Sequence, residues 1–204
     1  MAEYLKTGIA AVLFDFDGTL TRPNSIDFAG IKRDIGCPPS SSILEFLESL
    51  SDAPRREAEA ILERYEALAA SASQPNEGAE DLIVWLRARG MPVGVLTRNS
   101  YTSVLTALAN FVRVAPDDFA VIITRADVVR PKPHPEGVYL AASRLGVAAT
   151  ALAVVGDYRY DIEAGNRAGA VTFFLTNGQP PPPDLTADVF LQSLNELPAL
   201  LAPE

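Results

Sequence analysis

The feature that most restricts this chain is a short apolar run, Ile9 to Phe14, that ends at Asp15. Four comparable runs follow: Pro92 to Leu96, Val121 to Ile123, Ala151 to Val155 and Val171 to Leu175. A continuous apolar stretch of this length reads as a strand buried on both faces, because a half-exposed strand would alternate. Between the runs, apolar residues recur at helical spacing. Glu80 to Arg89 carries Leu82, Ile83 and Leu86 and stops at Gly90; Glu136 to Leu145 stops at Gly146, and Asp161 to Ala168 at Gly169. A glycine just past the last periodic residue is a helix stop. The alternation predicts an α/β fold: an open, mostly parallel, Rossmann-like sheet with helices on both faces. Pro180 to Pro183 reads as a stiff connection before a last strand and helix.

The interval from Arg22 to Gln74 breaks this rhythm. It has no strand-like run but at least two amphipathic patterns. Ser42-x-x-Glu45 has the spacing of a capping box and opens a stripe of Leu44, Leu47 and Leu50. Ala58, Ile61, Leu62, Tyr65 and Leu68 form a second stripe, read as packing between helices. The expected organisation is therefore a core of residues 1–21 and 75–204, with a small helical cap, 22–74, inserted after the first strand.

Charge narrows the partners. The formal net charge is −9, from 17 Lys+Arg against 26 Asp+Glu. That balance argues against nucleic acid or an anionic membrane, both of which favour a basic face. The Ile9 to Phe14 run is too short for a membrane span or a signal-peptide core. Cys37 is the only cysteine, which fits a reducing compartment. A cytoplasmic monomer acting on a small phosphorylated metabolite is the expectation.

Open parallel sheets place ligands at the carboxyl ends of their strands. Here those ends carry Asp15 and Asp17, then Thr97, then Lys132 before a helix, then Asp157 and Asp161. Asp15 and Asp17 cannot both be anions in one site without a cation or a proton between them. Mg²⁺ prefers hard oxygen ligands, and Asp157 supplies a third carboxylate to hold it. One carboxylate can attack a phosphoryl group. The other can protonate the leaving oxygen and then deprotonate water. Thr97 offers a hydroxyl, and Lys132, one of three lysines with Lys6 and Lys32, offers charge. Taken singly, each has a bland reading as turn, helix cap or surface. Asp15 also fails as the start of a calcium loop, since Ile26 stands where a bidentate Glu belongs.

Together these segments resemble the haloacid-dehalogenase-like hydrolase superfamily. Phe14-Asp15-Phe16-Asp17-Gly18-Thr19 is similar to its first motif and Leu96-Thr97-Arg98-Asn99 to its second. Pro131-Lys132-Pro133-His134-Pro135-Glu136 is similar to the third and Gly156-Asp157-Tyr158-Arg159-Tyr160-Asp161 to the fourth. The resemblance implies Asp15 as nucleophile and Asp17 as acid/base, with a backbone carbonyl to magnesium. It implies Thr97 and Lys132 on the phosphoryl group, Asp157 on the metal and Asp161 in its outer shell. Gly18, Thr19, Arg98 and Asn99 are expected against substrate. A helical insertion after the first motif is similar to the phosphoglycolate-phosphatase-like branch. Arg22, Asn24, Lys32 and Arg33 are further specificity candidates, with Lys32 and Arg33 read mainly as surface.

Rival chemistries are limited by counting. Cys37 has Ile43, not Arg, six positions on, so no cysteine-phosphatase loop exists. His134 is the only histidine, which removes two-histidine and multi-histidine sites and reads as a residue at a helix start. A dehalogenase would leave Asp17 and Asp157 unexplained. A phosphonate-cleaving relative would need Lys32 as an imine-forming lysine. A phosphosugar mutase on the same core, or a non-catalytic binding module, stays open as an alternative.

Overall fold

The structure, a computed structural model, describes residues 8–201; Lys6 and the outermost ends of the expected core, 1–7 and 202–204, lie outside them. Six strands form one sheet: β1 (Ala11–Phe14), β2 (Val93–Leu96), β3 (Val121–Ile123), β4 (Leu152–Gly156), β5 (Val171–Leu175) and β6 (Val189–Leu191). Their order is β3-β2-β1-β4-β5-β6, and every pairing is parallel. β1 is thus central, and order reverses between it and β4, the switch point where such sheets open a crevice.

The continuous apolar runs are explained by burial on two faces. Val12 and Phe14 point to one side, with Val95, Val155 and Phe173. That face is covered by α4 (Ala79–Ala88), α5 (Tyr101–Leu108) and α8 (Leu197–Leu201). Ala11 and Leu13 point to the other side, packing with Val154, Ile123 and helices α6 (Glu136–Leu145) and α7 (Arg159–Ala168). Phe14, Leu13 and Phe173 are fully buried, each contributing about 1.5–3 kcal/mol through burial. Such a core fixes strand register, and register places the residues that leave the strand ends.

Residues between β1 and α4 hold three helices: α1 (Phe28–Ile35), α2 (Ile43–Ser49) and α3 (Asp52–Ala72). They enclose a separate apolar cluster of Ile31, Leu47, Ala58 and Leu62. The chain leaves and returns side by side. Thr21 and Pro75 form an antiparallel bridge, Arg22 N donates to Gln74 O (3.0 Å) and Asn76 N donates to Leu20 O (2.8 Å).

Several local expectations need correction. Ser42 is the N-cap of α2, but its hydroxyl makes no cap bond; it accepts from Arg98 Nη2 at 2.7 Å instead. Leu68 is 64% exposed, whereas Ala58, Leu62, Glu66 and Ala70 form the buried face of α3. Helical geometry explains the swap: four residues advance about 400°, returning to the same face, and six advance about 600°. Helix α5 went unnoticed because its Tyr, Thr, Ser and Val residues are indifferent helix formers. Its start is marked by Ser100, whose hydroxyl accepts from Ser103 N.

Candidate active site

The carboxyl ends of the strands bring the acidic residues to one place. β1 ends with its ladder still paired, Asp15 N donating to Val155 O at 2.8 Å. The pleat then buries Phe16 completely and leaves Asp15 and Asp17 on the crevice side. Gly18 turns with φ +81°, and a Cβ there would collide with the Asp157 carboxylate. Only glycine allows this approach.

Lys132 is the hub. The residue is 5% exposed, and its ammonium donates to Asp15 Oδ1 (2.6 Å), Asp161 Oδ1 (2.5 Å) and Leu96 O (2.7 Å). Three acceptors satisfy all three of its donors. Burial alone would lower its pKa, but the Asp15 and Asp161 carboxylates outweigh that and hold it above its ordinary value. Asp161 Oδ2 accepts from Tyr158 N (3.0 Å), so one side chain both caps α7 and anchors Lys132. His134 is used locally: Nδ1 accepts from Glu136 N (3.1 Å) at the start of α6.

Asp15, Asp157 and Asp161 each offer an oxygen, all within 4.8 Å of one another. Both Asp161 oxygens already have donors, whereas Asp15 and Asp157 each have only one such oxygen, facing Lys132 and Thr19. Burial, then repulsion from Asp15 and Asp161, pushes Asp157 up to about 8. Burial, then Asp15, pushes Asp161 to about 6 despite Lys132. Hard oxygen donors crowded until they prefer to be protonated fit a small divalent cation such as Mg²⁺.

Asp17 faces elsewhere. Its Oδ2 accepts from Asn99 Nδ2 (3.0 Å), so its carboxylate stands apart from the trio. Burial first and Asp15 second raise it to about 7, with Asn99 and Lys132 opposing. A carboxyl near 7 can give or take a proton at neutral pH. Thr97 is buried, its Oγ1 accepting from Asn99 N (3.0 Å), which leaves its hydroxyl hydrogen free to donate.

Thr19 differs from the expectation of substrate contact. It is fully buried and its hydroxyl donates to Asp157 Oδ1 (3.1 Å), so it positions that carboxylate. Arg22, Asn24 and Arg33 are exposed; Arg33 pairs with Asp34 at 3.4 Å, and Lys32 Nζ donates to Pro39 O at 2.6 Å. None of these four bonds to the acidic cluster among the described residues. Arg98 lies where the inserted segment meets the sheet edge, bonded to Ser42 and 4.9 Å from the Tyr160 ring centroid.

Four participants escaped the sequence reading. Asn76 Nδ2 donates to Thr19 O (3.0 Å) and Asn177 Nδ2 to Gly18 O (2.9 Å), so together they hold the turn after β1. Asn177 follows β5, and extending the strand-end rule by one strand would have found it. Glu66 of α3 is 4% exposed and pairs with Arg125 Nη1, leaving Oε2 without a hydrogen-bond partner. Its only signal was its place four residues after Leu62.

Comparison with known proteins agrees with this geometry. A sequence model of haloacid dehalogenase-like hydrolases matches residues 9–169. An uncharacterized hydrolase of Saccharomyces cerevisiae is 34% identical over 172 residues, 83% of this chain and 78% of that protein. The phosphoglycolate phosphatase of Escherichia coli is 39% identical over 127 residues, 60% of this chain but half the length of that enzyme. Among solved structures, a hydrolase from Pseudomonas syringae has a TM-score of 0.78 at 22% identity, covering 95% of this chain and 100% of that one. A haloacid-dehalogenase-superfamily hydrolase from Geobacter sulfurreducens has a TM-score of 0.65 at 23% identity, covering 97% and 99%. These two likenesses are of fold. With an open parallel sheet, the four motif segments at one edge and a family match across most of its length, the chain belongs to the haloacid dehalogenase-like hydrolases.

Proposed function

We propose that this chain is a magnesium-dependent phosphatase that hydrolyses a small phosphate monoester through an aspartyl-phosphate on Asp15. The observation that carries the reading is the division of labour between the two aspartates. Asp15 is held against Lys132 beside Asp157, while Asp17 is turned to Asn99 and raised to about 7. The similarity to phosphoglycolate phosphatases supports the same chemistry.

Asp15 attacks phosphorus through a carboxylate oxygen as the bond from phosphorus to the leaving oxygen breaks. Asp17, protonated for this step, gives its proton to that oxygen. It then takes a proton from the water that attacks phosphorus and releases phosphate from Asp15. Thr97 binds a phosphoryl oxygen, Lys132 gives up one of its three acceptors to reach another, Asp161 keeps Lys132 in place, and Asn99 orients Asp17. Asp15, the Asp17 carbonyl and Asp157 would hold Mg²⁺, which when bound neutralises charge on carboxylate and phosphoryl oxygens. Residues 22–74 act as a cap that excludes water and selects the alcohol portion. We place the protein in the cytoplasm as a monomer, consistent with its single, buried cysteine and with no helix of the described residues being long and apolar enough to cross a membrane.

The test is phosphate release from p-nitrophenyl phosphate with magnesium and then with excess chelator. Release that vanishes on chelation is expected. Full activity in chelator would remove magnesium from the reading, and no release under any condition would remove the phosphatase.

A further inference from the structure

The turn after β1 is held by side chains where main chain does not reach. Gly18 and Thr19 are buried, and among the described residues no backbone N–H donates to either carbonyl. A buried carbonyl left without a partner is costly. Two amides supply the donors: Asn177 Nδ2 reaches Gly18 O at 2.9 Å, and Asn76 Nδ2 reaches Thr19 O at 3.0 Å. Asn76 Nδ2 also donates to Asn177 Oδ1 at 3.0 Å, and Asn76 Oδ1 accepts from Glu77 N at 2.9 Å. The two side chains therefore form one brace, from the point where the inserted segment returns to the loop after β5.

What the turn touches gives the brace its use. Thr19 Oγ1 is the only side-chain donor to Asp157 among the described residues, at 3.1 Å from Oδ1. Gly18 packs so closely on the other side that an added Cβ would collide with Asp157 Oδ2. Both oxygens of Asp157 are thus located by this turn. The Asp17 carbonyl lies in the same planar peptide unit as Gly18 N, so it moves with the turn as well. Unlike the two carbonyls after it, it receives no donor among the described residues, which leaves it open to a ligand. Neither amide carries a charge, so the brace fixes position without offsetting the field of the carboxylates.

We propose that Asn76 and Asn177 are positioning residues for the magnesium site. By fixing the Gly18–Thr19 turn they set the Asp157 carboxylate and the Asp17 carbonyl where one small cation can use both. Mg²⁺ demands near-ideal coordination at short distances, so a turn that drifts weakens binding even with every ligand present. Partners behind the ligands commonly count for this reason. The inference rests on the magnesium-dependent phosphatase reading.

The experiment measures Mg²⁺ affinity without substrate, by isothermal titration calorimetry and by the rise of melting temperature with added MgCl₂. Asn177→Gly removes one amide where φ is +50°, a conformation glycine accepts, and Asn76→Ala removes the other. Each should weaken Mg²⁺ binding about ten- to a hundredfold, the usual effect of losing a partner behind a metal ligand. Phosphate release from p-nitrophenyl phosphate should need correspondingly more Mg²⁺, with kcat recovered at saturation. Thr19→Val breaks only the last link and should reproduce the loss. Combined with Asn177→Gly it should add less than its separate effect, because both act on one carboxylate. Phe119→Leu loosens the buried packing before β3, at the opposite edge of the sheet, and should lower the melting temperature while Mg²⁺ affinity stays put. Wild-type affinity in either amide variant or in Thr19→Val, or a matching loss in Phe119→Leu, overturns the inference, while chelator-sensitive turnover keeps the magnesium reading intact. A wild type that binds no Mg²⁺ and releases phosphate equally well in chelator overturns both.

Discussion

The sheet edge and the inserted segment bury charge in opposite ways. At the edge Lys132 has three acceptors, and Asp161 has a donor on each oxygen. In the segment Glu66 is just as buried, yet Oε1 pairs with Arg125 and Oε2 has no hydrogen-bond partner, with the Ser100 backbone the one further group that favours its charge. The reason is topological. Parallel strands end side by side, so loops from several of them supply partners for one group. A helix face points in one direction and depends on whatever the opposing loop brings, here Arg125 from the turn after β3. Charge at the edge is organised for chemistry, and charge in the segment joins two parts of the molecule.

The sharpest break of that comparison is Asp15→Asn. Activity should fall by at least about three orders of magnitude, as expected when a covalent catalyst is removed. The melting temperature should hold, because Lys132 keeps Leu96 O and Asp161. A variant retaining a tenth of wild-type activity would mean that another group attacks.

Asp17→Asn comes next, slowing an alkyl phosphate by about two to four orders of magnitude. A nitrophenyl ester needs little help from an acid, so it should still load Asp15. Nitrophenol should then appear as a burst near one equivalent, with a phosphoryl adduct on the Asp15 peptide by mass spectrometry. Equal slowing of both esters without an adduct would leave Asp17 no part in proton transfer.

In the segment the readout is stability. Arg125→Met strands Glu66 and should cost about 2–3 kcal/mol by denaturant titration. A cost below about 0.5 kcal/mol would show the pair to be solvated. Glu66 also predicts a pH trend. Burial raises its pKa above the ordinary 4.5, with Arg125 opposing. The folded state therefore keeps a proton that the unfolded state has lost, so stability present below pH 4.5 declines as pH rises through the raised folded value. Glu66→Gln should flatten that slope, and identical slopes in both proteins would refute the assignment. The smallest effect belongs to Arg33→Ala. Arg33's side chain is 72% exposed beside Asp34, and the change should stay within about 0.5 kcal/mol.

The two regions were also unequally legible in the sequence. Strand positions and motif positions could be read because an apolar run buried on both faces has few other uses, and its end fixes where Asp15 or Asp157 emerges; the order of the strands in the sheet could not. The segment was harder. Its helices bury only narrow faces, so placing Leu68 inside and passing over Glu66 cost nothing in the pattern itself. Ser42 shows the limit most clearly: its spacing to Glu45 describes a cap, but Arg98, 56 positions away, competes for the same hydroxyl. Asn76 was missed for a similar reason, since it matters only through a carbonyl brought near by folding, whereas Asn177 at the end of β5 was within reach of the strand-end rule.

The paired crossing at the base of the segment has a mechanical consequence. Thr21 meets Pro75, and Arg22 meets Gln74, so the outgoing and returning chains are fastened together before the helices begin. The fastened crossing fixes the point and direction in which both chains leave the sheet. It also brings the two ends so close that the length of chain between them hardly matters to closing the loop, since that entropy grows only logarithmically with length. The sheet can therefore host longer or shorter excursions at this point without re-registering a strand, which makes it the natural place for the molecule to vary.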